Sequence, residues 1–136
     1  MKSIILLMLP IVLLSGCKKT IDNKAEDAIV KAMTEGQWVI TSFESNGSDL
    51  TADFSPYRFQ YLADYTVNAI KSGNVENTGT WQGDVNTMNI SANFQNAANP
   101  ILLLNGTWHI TDNSWTYVEA TMTVGADLRS LRLDKQ

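Results

Sequence analysis

The sequence predicts an all-β domain of about eight short antiparallel strands, closed as an up-and-down barrel or stacked as a small sandwich, with one short helix before it. Three observations lead there. From Gly36 onward apolar and polar residues alternate with a period of two. Turn-forming pairs recur at regular spacing among these runs, as at Asn46-Gly47, Ser72-Gly73 and Gly83-Asp84. Helical spacing appears in one segment, and it precedes the strands.

That segment is Ala25 to Met33, with Asp22 or Asn23 as N-cap and acidic residues in the first turn. Ile29, Val30 and Met33 give it a small apolar stripe, suited to a lid or plug on the domain that follows, and Gly36 ends it. Trp38 to Phe43 is β-branched and aromatic and reads as the first strand, with a turn across Glu44 to Asp49. Tyr57 to Tyr61 alternates aromatic and polar residues, and Tyr65 to Lys71 lies close enough to pair with it as a hairpin. Ser72 to Asn74 turns the chain into Val75 to Trp81, and Gly83-Asp84 is expected to turn it again. Met88, Ile90, Ala92 and Phe94 then alternate with Thr87, Asn89, Ser91 and Asn93. After a loop at Asn96 to Pro100, Ile101 to Leu104 and Thr107 to Ile110 read as one strand bent at Asn105-Gly106. Thr111 to Ser114 is expected as a turn, Trp115 to Val124 as a strand, and Leu128 to Leu133 as the last strand.

The N-terminus carries a different message. Lys2 is followed by the apolar run Ile4 to Leu14, too short to span a bilayer as a helix, and then by Ser15, Gly16 and the only cysteine, Cys17. This resembles a bacterial lipoprotein signal peptide, which implies cleavage of residues 1–16 and lipid attachment at Cys17. Residues 17–35 then form the lipidated cysteine, tether and helix, and residues 36–136 the β domain. The same resemblance implies an address in the cell envelope. Lys18 stands where an acidic residue often marks inner-membrane retention, so the outer membrane is the expected destination.

Charge and cysteine content narrow the function classes. The chain has ten Lys and Arg against fourteen Asp and Glu, a net charge of −4. The segment from Lys18 to Glu35 is neutral, so the acidity lies in the β domain. An acidic surface without a basic cluster argues against nucleic acid and against an electrostatic grip on anionic lipids. Membrane attachment is therefore expected through the lipid on Cys17. With Cys17 modified, no cysteine remains for a disulfide or a thiolate metal site, and the domain must stand on its core.

Three of the four tryptophans follow a glycine by two residues: Gly36-Gln37-Trp38, Gly79-Thr80-Trp81 and Gly106-Thr107-Trp108. A glycine permits a sharp bend or a close backbone approach at a strand entry, and the tryptophan then closes a barrel end with a large apolar surface. Through these motifs the region of roughly residues 36 to 133 resembles the lipocalin-like lipoproteins of Gram-negative bacteria, where a Gly-x-Trp opens the first strand after a short helix. The resemblance implies a lipocalin-like barrel and a small hydrophobic ligand in its mouth, flanked by Trp38, Phe59, Tyr61 and Trp81. It also implies a basic residue of the last strand packed over Trp38, for which Arg129 and Arg132 are the candidates.

No catalytic constellation, cofactor motif or metal site is expected. His109 is the only histidine, and the aspartates at 49, 53, 64, 84, 127 and 134 fall where they cap turns and strand ends. Tyr57, Phe59, Tyr61 and Tyr65 form an aromatic group that either fills the core or lines a pocket for a hydrophobic or sugar ligand. The alternative to a ligand carrier is a protein-binding module, a hydrolase inhibitor or an accessory subunit of an envelope complex. Its contacts would lie on the loops Glu44 to Pro56, with Phe54 exposed, and Gln95 to Pro100.

Overall fold

The computed structural model describes the backbone of residues 15–136 and the side chains of residues 25–136. The apolar run Ile4 to Leu14 lies outside the described residues, as do the side chains of Cys17, Asp22 and Asn23.

Eight strands close into an antiparallel up-and-down barrel, joined in sequence order and sealed where the last strand meets the first. They are β1 (Trp38–Ser45), β3 (Tyr57–Tyr61), β4 (Thr66–Lys71), β5 (Asn74–Asp84), β6 (Asn89–Asn93), β7 (Gly106–Asn113), β8 (Tyr117–Val124) and β9 (Asp127–Lys135); β2 (Ser48–Asp49) is a short return from β1. The closing register runs from Trp38 opposite Lys135 to Ser45 opposite Arg129. On its other side β1 meets β3 only at Trp38 opposite Phe59. Above that pair the edge of β1 bonds to its own connecting segment: Leu50 N donates to Phe43 O, and Thr51 Oγ1 accepts from Phe43 N.

Two turns show why the hairpins form where the sequence places them. Asn46 and Gly47 have φ of 51° and 79°, and Ser72 and Gly73 have 52° and 78°. Two successive positive φ values give the turn whose twist matches that of paired strands.

Both ends of the barrel are closed. At one end lies helix α1, which runs Ser15–Thr34, longer than the predicted Ala25 to Met33 because no proline interrupts its first turns. Met33 is buried, Ile29 and Val30 pack against the core, and Gly83 passes so close that a Cβ there would lie 3.1 Å from Ile29 Cγ2. At the other end sit the one-turn helix α2 (Thr51–Phe54) and a 3₁₀ turn, Ile101–Leu104. Phe54, expected on an exposed loop, is fully buried, its ring centroid 4.6 Å from that of Phe43.

Several strand boundaries differ from expectation. Ile101 to Leu104 is not strand: it winds after Pro100 and turns Ile101 and Leu104 into the core. Asn105 holds the place of a ladder, its side chain accepting from Phe94 N at 2.6 Å and donating to Phe94 O at 2.9 Å. Strand β5 continues through Gly83 and Asp84, and the turn falls at 85–88, where Asp84 Oδ1 accepts from Asn86 N. Met88 therefore sits in that turn at φ 54° and is exposed. Strand β7 likewise continues through Asn113, which leaves Trp115 exposed at the tip of the β7–β8 turn.

Candidate functional site

The three Gly-x-Trp tryptophans are all buried, and each indole N–H finds a backbone carbonyl: Trp38 at Met33 O (2.9 Å), Trp81 at Leu62 O (3.0 Å) and Trp108 at Leu104 O (2.9 Å). Burying an indole without an acceptor would forfeit a hydrogen bond, and here each such bond ties a barrel strand to a turn or helix. Gly79 is required by close approach, since a Cβ there would lie 2.5 Å from Asn93 O. Gly106 combines φ 132° with Met122 Sδ 2.6 Å from its absent Cβ.

The residues expected to flank a ligand, Trp38, Phe59, Tyr61 and Trp81, are brought together, but as core. Their exposures are 0, 1, 7 and 1 %. Tyr61 and Trp81 meet edge-on with centroids 5.5 Å apart, and Phe59 meets Phe94 at 6.5 Å. Burial pushes the Tyr61 phenol far above its ordinary pKa, so it remains neutral. The void left among these side chains, lined by Phe59, Tyr61, Phe94 and Trp108, is about 30 Å³. A void of that size holds about one water, whereas ligand pockets run to about 300–1,000 Å³. Among the described residues this part of the interior is packed, and the void is far smaller than such a pocket.

Neither Arg129 nor Arg132 covers Trp38. Lys135 does, its Nζ 5.0 Å from the ring centroid and 2.8 Å from Ala32 O. Ala32 and Met33 supply two of the last four carbonyls of α1, which have no partner within the helix. Trp38 and Lys135 thus satisfy the helix C-terminus together, and the ammonium meets the negative end of its dipole. Arg132 points outward, its guanidinium over Tyr117 and paired with Glu119 and Asp134. Arg129 lies in the inward register near the 3₁₀ turn and donates to Leu103 O at 3.2 Å.

The polar candidates resolve into caps. Asp49, Asp64 and Asp84 each accept from the backbone N–H two residues on. Hydrogen bonds from Thr51 and Thr66 hold Asp49 and Asp64 below the usual carboxylate range. Asp134 is lowered chiefly by Arg132. Asp127 accepts from the Asn46 side chain, and Asp53 lies in the first turn of α2. His109 is exposed, with Nδ1 3.2 Å from Asn89 Oδ1, and among the described residues no three His, Cys, Asp or Glu cluster as metal ligands.

What remains open is on the outside. Two adjoining grooves of about 490 and 650 Å³ lie against β5, β6 and β7 beside α1, sharing Tyr65, Trp81, Gln82, Ser91 and Thr107. Sequence reasoning grouped Tyr65 with the inward aromatics and passed over the polar residues. The available signal was their parity, opposite to that of Trp81 and Ile90. At the α2 end of the barrel, Leu102, Val124 and Leu128 are exposed.

No protein-family model matches the sequence, and no curated protein matches it. The structure is similar to the crystal structure of a DUF4847 family protein from Bacteroides vulgatus, with a TM-score of 0.56 and 12 % sequence identity over 79 % of this chain and 99 % of that one. At that identity the likeness is one of fold.

Proposed function

We propose that this chain is a lipid-anchored, non-catalytic protein of the bacterial cell envelope, held at the outer membrane through Cys17, and that it acts as a protein-binding module. The observation that carries this reading is the interior void of about 30 Å³ in a barrel shut by α1 at one end and by α2 and the 3₁₀ turn at the other. A barrel packed in this way leaves its outer surface for recognition, and its interior void is smaller than a pocket for a hydrophobic ligand. The exposed Leu102 and Leu128 at the α2 end suit a contact surface of the accessory-subunit or inhibitor kind. The apolar run Ile4 to Leu14, the Leu14 to Cys17 sequence and Lys18 support the address.

Two measurements test this. Metabolic labelling with an alkynyl fatty acid is expected to tag the wild-type chain and not Cys17→Ser. A photo-crosslinking residue at position 128 is expected to yield one defined protein adduct in intact cells, while the same residue at Thr107 yields none. Equal labelling of Cys17→Ser, or no adduct from position 128, overturns the corresponding half of the reading.

A further inference from the structure

We propose that the grooved outer wall of β5, β6 and β7, beneath Tyr65, is a binding site for a neutral saccharide, separate from any protein contact at the α2 end. Tyr65 is the observation that prompts it. Its φ is 66°, a left-handed conformation that glycine or asparagine adopts readily and a bulky side chain does not. Trp81 clamps this turn from two sides, donating its backbone N–H to Tyr65 O at 2.9 Å and its indole N–H to Leu62 O. Burial does not offset the conformation, because the Tyr65 residue is 47 % exposed. An aromatic held at a positive φ with one face open is the kind of feature that marks a ligand contact.

The open face looks onto a suitable wall. The ring rests on Trp81, centroids 5.4 Å apart, where the two grooves adjoin. Gln82, Ser91 and Thr107 are direct register partners across three strands, an outward row about 10 Å long at ordinary strand spacing. Asn93 and Asn89 flank that row on β6. Amides both donate and accept, as do hydroxyls, which is the requirement of a ligand made of neutral hydroxyl groups. Asp64, Asp84 and Glu26 stand at the margins as acceptors.

The same lining argues against other ligand classes. It contains no lysine or arginine, so a phosphate or sulfate finds no countercharge. It contains no array of carboxylates or histidines for a metal ion. A fatty ligand would leave the amide and hydroxyl groups of Gln82, Ser91 and Thr107 unpaired. A pyranose offers what the lining lacks and needs: hydroxyls in the ring plane for the amides, and an apolar C–H face for the tyrosine.

The test uses the full-length protein in a polyoxyethylene detergent, which has no sugar headgroup, probed on an array of neutral and acidic oligosaccharides. Hits are titrated by tryptophan fluorescence. Saturable binding confined to neutral glycans is expected. Tyr65→Gly, whose backbone is at home at this φ, is expected to weaken binding at least tenfold, and Tyr65→Phe to stay within threefold of wild type. Gln82→Ala, at an exposed position outside the core, is expected to weaken it at least threefold. Absence of any neutral-glycan binding, equal binding of acidic glycans, or wild-type affinity in both Tyr65→Gly and Gln82→Ala overturns the proposal.

Discussion

Lys135→Met isolates the joint between helix and barrel. Methionine keeps most of the apolar stem that covers Trp38 and removes only the ammonium. That ammonium donates to Ala32 O at 2.8 Å and stands 5.0 Å from the Trp38 ring centroid. A hydrogen bond from a charged donor contributes about 1.5–3 kcal/mol, and a cation over an indole about 0.5–1 kcal/mol where partly solvated. One ammonium serves both contacts, so the two are not additive, and a loss of about 2 kcal/mol is expected. With a urea m-value of about 1.5 kcal/mol/M, the unfolding midpoint falls by about 1.3 M, with m unchanged. Tryptophan fluorescence reads this directly. Arg132→Met is the control, because Arg132 makes more ionic contacts yet is 38 % exposed, and its pairs with Glu119 and Asp134 are screened by water. If Arg132→Met lowers the midpoint as far as Lys135→Met, the helix-pinning argument is wrong.

The remaining expectations concern other joints of the fold. Gly79→Ala forces a Cβ to within 2.5 Å of Asn93 O and 2.8 Å of Phe94 Cδ1, so a loss of about 2 kcal/mol or more is expected in the same urea titration. Trp115→Ser removes an exposed turn residue and should shift stability by less than about 0.5 kcal/mol, showing that this tryptophan, unlike the other three, is not structural. The folded-state pKa of Asp134 is depressed, chiefly by Arg132, so its contribution is present above the ordinary carboxylate value of 3.8 and is lost as pH falls through the lower folded value. The melting temperature is therefore expected to fall more steeply below about pH 4 in wild type than in Asp134→Asn.

The barrel was legible because its signals are local. Alternation in Tyr57–Tyr61 and the turn pairs at Asn46-Gly47 and Ser72-Gly73 depend on neighbouring residues alone. Ile101–Leu104 was misread because a four-residue apolar run has no period to separate strand from helical turn, and the bond pattern that decides it belongs to Asn105 and Phe94. Tyr65 was misassigned for a related reason: its positive φ breaks the alternation that carries Tyr57, Phe59 and Tyr61 inward.

The site was harder to read because packed and hollow barrels share an inward pattern. Trp38, Phe59, Tyr61 and Trp81, the set the family resemblance implies, do lie inside the barrel. Whether they enclose a ligand or only one another is a matter of volume, which depends on how Phe94, Trp108 and Leu104 fill the space between them. The basic partner of Trp38 was missed because the closing register, with Trp38 opposite Lys135, is set by the whole circuit of strands.

Native mass spectrometry of the full-length protein, purified from its expressing cells in polyoxyethylene detergent, tests the packed barrel most directly. The expected spectrum shows the chain with its covalent lipid and no bound apolar molecule. A stoichiometric, non-covalent apolar adduct that survives detergent exchange would contradict the account and return function to the barrel interior.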